Sequence, residues 1–228
     1  VGRRDLPPAG LDSSTFGARV TSSTLVSGWD LSATAVHGPA TNPVIAQTLT
    51  GGVLNLVSVY PHYTELGGGF STIAGDYEIH GETSLHLTRE SRQDDDYVTA
   101  VIGFRREWKD EPMQGVDEIG LTAEYAFEHV TRRAPQSNAF VRTAFDRSLA
   151  NSVLAKLEFK VDEDTTATAS GAVNVEDADW TLDLGLTHDL DDQATLAVGL
   201  QVFEGPRDSF FGAYTGNDRL YASVEIVF

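Results

Sequence analysis

The 228-residue sequence contains no cysteine, which excludes structural disulfides and thiolate metal centres. Basic residues are scarce: 16 Lys and Arg stand against 34 Asp and Glu, a formal net charge of -18. Phosphate binding relies on clustered Lys and Arg, so nucleic acid is excluded as an expected partner. No run approaches the ~18 consecutive apolar residues of a transmembrane helix. No signal peptide is visible in "VGRRDLPPAG" at the start. Helical periodicity is also nearly missing. The one candidate is 139–150, where Val141, Phe145 and Leu149 recur at four-residue steps.

What the sequence has instead is alternation. At the C-terminal end, Leu220, Ala222, Val224, Ile226 and Phe228 interleave with Tyr221, Ser223 and Glu225. The same two-residue period predicts strands over 15–22, 29–35, 77–88, 97–107, 119–128, 153–161, 165–175, 180–188 and 193–203. One further long strand is predicted over 57–74. Acidic or Gly-containing turns separate them, such as "AGDY" at 74–77 and "DLDDQ" at 189–193, as suits hairpins between antiparallel strands. A tilted strand needs about 9–11 residues to cross a bilayer core, and these segments are of that order. A window-averaged hydropathy cancels over such strands, so the mean hydropathy of -0.19 does not argue against a membrane.

Charge follows the same parity. Arg19, Asp30, Glu78, Glu82, Arg105, Glu107, Glu124, Glu128, Lys156, Glu158, Lys160, Asp183 and Glu225 all fall on the polar face of their strands, together with His80. A soluble sandwich would also segregate charge. Two features point past it: hairpins follow one another without long crossovers, and the sequence stops on its last strand. The expected fold is an all-β, antiparallel up-and-down transmembrane β-barrel of about 11–12 visible strands over residues 15–228, preceded by an N-terminal extension over 1–14.

The ending "LYASVEIVF" resembles the C-terminal strand of Gram-negative outer-membrane β-barrel proteins, and 199–221 resembles the last hairpin and loop of porin-like members, mostly of unassigned function. The resemblance implies an outer-membrane location, with membrane lipid and lipopolysaccharide as surroundings. It also implies reading of Leu220, Ala222, Val224, Ile226 and Phe228 by the barrel-assembly machinery. With the last strand ending in the periplasm, long external loops are expected at about 37–56, 131–152 and 204–218. This arrangement gives an odd count of about 11 strands where single-chain bacterial barrels have an even one. The expectation is therefore the C-terminal part of a longer barrel. The alternative is a strand at 139–148.

The function these readings predict is a porin-like channel for small polar solutes or ions. The residues named above would line its lumen, giving a mild cation preference from acidic residues that outnumber basic ones such as Arg19, Arg105, Arg142, Lys156 and Lys160. A structural or ligand-binding barrel with a filled interior is the alternative, and a soluble all-β binding domain a weaker one. No enzymatic activity and no cofactor are expected. His80 and His86 lie six residues apart on one strand, ~20 Å by strand rise, too far to share a metal. The acidic clusters at 94–96, 162–164 and 189–192 lack the spacing of a calcium loop and read as solvated turns. Trp29, Tyr77, Tyr97, Trp108, Trp180 and Tyr221 lie near strand ends, where interfacial aromatic girdles are expected.

Overall fold

The computed structural model describes residues 3–4, 10, 13–41, 43–88, 94–134, 139–140 and 150–227. Phe228, Arg142 and most of the helix candidate at 139–150 lie outside them. The fold is all-β, with no α-helix among the described residues. Among the described residues, fifteen strands occur in chain order: β1 Arg3–Arg4, β2 Phe16–Ser22, β3 Trp29–Pro39, β4 Val44–Thr50, β5 Val53–Val59, β6 His62–Ala74, β7 Tyr77–Thr88, β8 Asp96–Trp108, β9 Glu118–Arg132, β10 Ala139–Phe140, β11 Ser152–Lys160, β12 Thr165–Asn174, β13 Asp179–Asp191, β14 Ala194–Glu204 and β15 Arg219–Ile226.

Eleven of them form one up-and-down sheet in the order β15-β14-β13-β12-β11-β9-β8-β7-β6-β3-β2, with β15 and β2 as its edges. The ten strands predicted from alternation are all in this sheet, longer by a few residues at several ends, and β6 is the eleventh. Two expectations fail between β3 and β6. The loop expected over 37–56 contains β4 and the first part of β5. The single strand expected over 57–74 is broken at Tyr60-Pro61. Proline cannot donate to a ladder. Pro61 is fully buried, and its carbonyl accepts from the amide of Ala40 at 2.8 Å. Gly51 and Gly52, both at positive φ, form the two-residue turn of the β4–β5 hairpin. This hairpin belongs to a second sheet, β1-β5-β4-β10. Part of the expected N-terminal extension is thus in a sheet: Arg3 and Arg4 pair in parallel with Val57 and Ser58. Ala139 and Phe140, which the helical reading included, pair with Gln47 and Ala46.

The chain divides into two compact units, and β6, β7, β8 and β9 pass through both. The first comprises Val1–Ser71, Gly81–Ala100 and Glu128–Asp146; the second comprises Thr72–His80, Val101–Phe127 and Arg147–Phe228. In the first unit, Asp96 ties three strand ends together. Its carboxylate accepts from the Thr88 amide at 2.8 Å and the Thr88 hydroxyl at 2.9 Å, and Arg132 meets it at 2.6 Å. In the second unit, β11 to β15 form a meander whose register pairs like with like. Val153, Ala155, Leu157 and Phe159 stand beside Tyr125, Ala123, Leu121 and Ile119 on β9, and beside Val173, Gly171, Ala169 and Ala167 on β12. On β15, Leu220, Ala222, Val224 and Ile226 stand beside Leu200, Val198, Leu196 and Ala194.

This apolar face is not packed away. Leu220 is 82% exposed, Val224 57% and Ile226 54%, and Val153, Val173, Leu186 and Leu200 are also exposed. Among the described residues, the buried apolar side chains are those of Val116, Ala126, Ala172 and Phe211. A sandwich would bury the apolar face against a second sheet. Here the burial is largely polar, at His86, Thr88, Asp95, Asp96, Ser152, Asn174, Asp179 and Ser209.

Candidate functional site

The candidate site is the polar face of the eleven-stranded sheet, taken unit by unit. Strict two-residue alternation puts every second side chain of a strand on this face, and antiparallel register then joins them into transverse rows. In the second unit one row runs Thr122, Lys156, Ser170, Asp183, Gln201, Arg219 from β9 to β15. The next row contains Glu158, Thr168, Gly185, Gly199 and Tyr221, and Lys160 stands between Glu118 and Thr166 in the row after. Glu225 lies beside Thr195.

Basic residues on this face are partly neutralised by their own strand neighbours. The Lys156 ammonium is 2.7 Å from Glu158, and Glu107 pairs with both Arg105 and Lys109. Glu78, Asp183 and Glu225 form no ion pair among the described residues, nor does Lys160. Exposed pairs of this kind contribute little stability, about 0–1 kcal/mol each. Their effect is on the field over the face, which stays acidic.

His80 does not pair with Glu82, its neighbour on the strand. Its Nε2 lies 2.9 Å from Oε1 of Glu124, two strands away. Gly103 of β8 lies between. A Cβ at Gly103 would be 2.7 Å from Glu124 Cγ, 2.8 Å from the Ala123 carbonyl and 2.8 Å from His80 Nε2. The bare glycine is what lets side chains from β7 and β9 meet over β8. A second close approach places the Tyr221 ring over Gly199, where a Cβ would be 2.3 Å from Tyr221 Cζ. Replacing Gly199 with valine is expected to displace Tyr221. The change is checked by a shift of the Tyr221 ring signals in aromatic NMR.

In the first unit Arg19 stands beside Thr34, with Asp30 two steps along on the same side of β3. A Cβ at Gly69 would touch both Ser32 and Glu82, which puts Glu82 on this face too. Arg19, Asp30 and Glu82 are exposed and form no ion pair among the described residues; Glu128 is half-buried. Nearer the strand ends the His86 imidazole is stacked between Tyr63 and Tyr97, with centroids at 4.8 and 4.5 Å. The girdle expected for Tyr97 and Tyr221 is therefore corrected: both rings lie with the polar side chains. Parity was the signal, since Tyr97 shares its side of the strand with Thr99 and Arg105. His37 donates to or accepts from the Thr64 hydroxyl at 2.9 Å.

The loop over 204–218 is folded back on a strand end. Asp179 is fully buried, and its Oδ2 accepts the Phe211 amide at 2.6 Å. Beyond it, Gly212–Tyr214 form a 3-10 turn. At the neighbouring turn, partial desolvation and then the charges of Asp179, Glu176 and Asp208 raise the pKa of Asp177. A carboxyl with a raised folded-state pKa is easiest to fold around when protonated. Its stabilising effect is present below the unfolded pKa and lost as pH rises through the folded value. Asp177→Asn is therefore expected to raise thermal stability at neutral pH. The gain should vanish in acid, as read by unfolding scans at both pH values. In the turn at 162–164, the Thr165 hydroxyl and the amide of Asp164 lower the pKa of Asp162.

Among the described residues, no three His, Asp or Glu side chains converge as metal ligands. No family model matches the chain, and no curated protein sequence does. Solved structures resemble it, among them these three. The KdgM porin has a TM-score of 0.37 at 10% identity, covering 95% of this chain and 94% of its own. The same figures hold for the KdgM porin in complex with disordered oligogalacturonate. Outer membrane phospholipase A from Escherichia coli has a TM-score of 0.43 at 11% identity, covering 93% of this chain and 77% of its own. These neighbours of the all-β chain are a porin and an outer membrane phospholipase.

Proposed function

We propose that the chain is an outer-membrane porin-like channel, with its apolar face against membrane lipid and lipopolysaccharide and its polar face lining a path for small polar solutes or ions. The observation that supports this most is the register of β9 to β15. It gathers Glu124, Lys156, Glu158, Lys160, Asp183, Arg219 and Glu225 on one face and leaves the other largely apolar and exposed, with Glu204 beside Trp180 at a strand end. Such an arrangement is stable where a hydrocarbon solvent meets one side and water the other. Transport would be passive, and the loop latched at Asp179 would narrow one mouth. Leu220, Ala222, Val224 and Ile226, with Phe228 after them, would present the strand read by the barrel-assembly machinery.

The unpaired acidic residues Glu82 and Asp183 favour cations over anions. In a salt gradient across a planar bilayer, the full-length protein is expected to show a cation-selective reversal potential. Asp183→Lys should move that potential toward zero. Folded protein without conductance would overturn the channel reading and favour a structural or ligand-binding barrel. The ion pairs Lys156–Glu158 and Arg105–Glu107, which fill space with neutralised charge, are what that second reading rests on.

A further inference from the structure

Among the described residues, the apolar face of the second unit carries one guanidinium, that of Arg106. Along β8, the side chains on this face run Ile102, Phe104, Arg106, Trp108. Arg106 is held rather than free. Its Cζ lies 4.8 Å from the Tyr77 ring centroid and 4.7 Å from that of Trp108. Nη1 donates to the Tyr77 hydroxyl at 2.7 Å, and Nη2 donates to Asp76 at 3.2 Å. The Arg106 side chain keeps 25% of its surface exposed and Asp76 75%, so a fixed cation and a fixed anion stand together at the surface.

Directly beside this pair opens an apolar groove of about 620 Å³, lined by Tyr77, Ile79, Ile102, Phe104, Ala123 and Tyr125. The small side chain of Ala123 between the larger ones of its neighbours creates it. The groove follows β8 from Ile102 to Phe104, and Arg106 stands one step further along the same face, about 13 Å from Ile102 by strand rise. Tyr77 belongs to both features: its ring packs edge-on to Phe104 at 5.9 Å and lies under Arg106.

A charged side chain on a lipid-facing surface is costly unless it is paired or reaches polar headgroups. Arg106 is paired, and its partner carboxylate stays open. We infer that this groove is a phospholipid site that holds an acyl chain between Ile102 and Ala123, with an ethanolamine headgroup at its charged end. The lipid phosphate accepts from the Arg106 guanidinium, and the lipid ammonium meets Asp76. Charge complementarity selects this occupant. A purely anionic headgroup would be repelled by Asp76, and an uncharged diacylglycerol would leave both charges unanswered. The site rests on the reading of this face as lipid-facing, and is independent of whether the polar face conducts.

Native mass spectrometry of the full-length protein in detergent tests it, titrated with phosphatidylethanolamine and with diacylglycerol of the same chains. The wild type is expected to retain one phosphatidylethanolamine at least ten-fold more tightly than diacylglycerol. Arg106→Gln should abolish that preference, and Ala123→Leu, which fills the groove, should weaken retention of both lipids. Asp76→Asn should shift preference toward phosphatidylglycerol. Folding of each variant is checked by heat-modifiable migration; if the groove variant does not fold, Arg106→Gln decides. Equal retention of the two lipids by the wild type, or unchanged retention by Arg106→Gln, would overturn the site. A wild-type protein that stays monodisperse without detergent overturns the lipid-facing reading itself, a result distinct from folded protein lacking lipid preference.

Discussion

Gly212→Ala is expected to release the loop over 204–218 while leaving the strands in place. A Cβ at Gly212 would lie 1.8 Å from the Pro206 carbonyl oxygen, 2.5 Å from its carbon and 2.6 Å from Ser209 Oγ. Two of these three atoms are backbone, so no rotamer change makes room. The same Pro206 carbonyl already accepts from the Ser209 amide at 3.0 Å and the Ser209 hydroxyl at 2.8 Å. Moving it breaks the turn that presents the Phe211 amide to buried Asp179. Overpacking of this kind costs about 1–3 kcal/mol, and here the cost falls on one loop. Trypsin cleavage after Arg207 should accelerate at least ten-fold in the variant, while heat-modifiable migration stays as in the wild type. Gly216→Ala is the control. Gly216 has a φ of +88° but nothing within 4 Å of an added Cβ, so alanine there brings backbone strain without a clash. If both variants are cleaved at the wild-type rate, the loop is not held by this turn. Where the chain conducts, the released loop should also raise single-channel conductance.

Gly103→Val is expected to be the most damaging single change on the polar face. The added carbon would meet the Ala123 carbonyl, Glu124 and His80 together, at 2.7 to 2.8 Å. The side chains can turn away, but the carbonyl belongs to the neighbouring strand. The strand ladder must open or β8 must shift, at about 1–3 kcal/mol for the clash and more for displaced ladder bonds. His80→Gln removes the same hydrogen bond without a clash. With both partners about one-third exposed, its cost should stay near 0.5–1.5 kcal/mol. Chemical unfolding from detergent or lipid therefore separates the two effects. A large loss in Gly103→Val beside a small one in His80→Gln assigns the role to glycine as spacer. Equal losses would assign it to the hydrogen bond instead.

The same two-residue period made the fold legible before any tertiary information. Within one strand it fixes which side chains share a face, because successive Cβ atoms point to opposite sides. That is why Lys156, Glu158 and Asp183 stand where alternation puts them, and why Leu220 to Ile226 form an apolar row. The readings that failed lie where alternation is interrupted. Pro61 cuts a stretch that reads as one strand, and Gly51-Gly52 turns a stretch that reads as loop into a hairpin. The place of Tyr97 and Tyr221 near strand ends points to a girdle. Parity, which puts them beside Thr99 and Ser223, was the better guide.

The sequence by itself therefore determined most strands of the eleven-stranded sheet, their polar and apolar faces, and the acidic balance of the polar one. Only the tertiary structure decided which residues meet across strands. His80 reaches Glu124 over Gly103, His86 lies between Tyr63 and Tyr97, Arg106 is held by Tyr77 and Trp108, and Asp179 latches Phe211. The physical reason is that alternation is a local property of the backbone. Register is set by turns, bulges such as the one between Asp189 and Asp191, and the packing of distant strands, and a shift of one residue changes every neighbour.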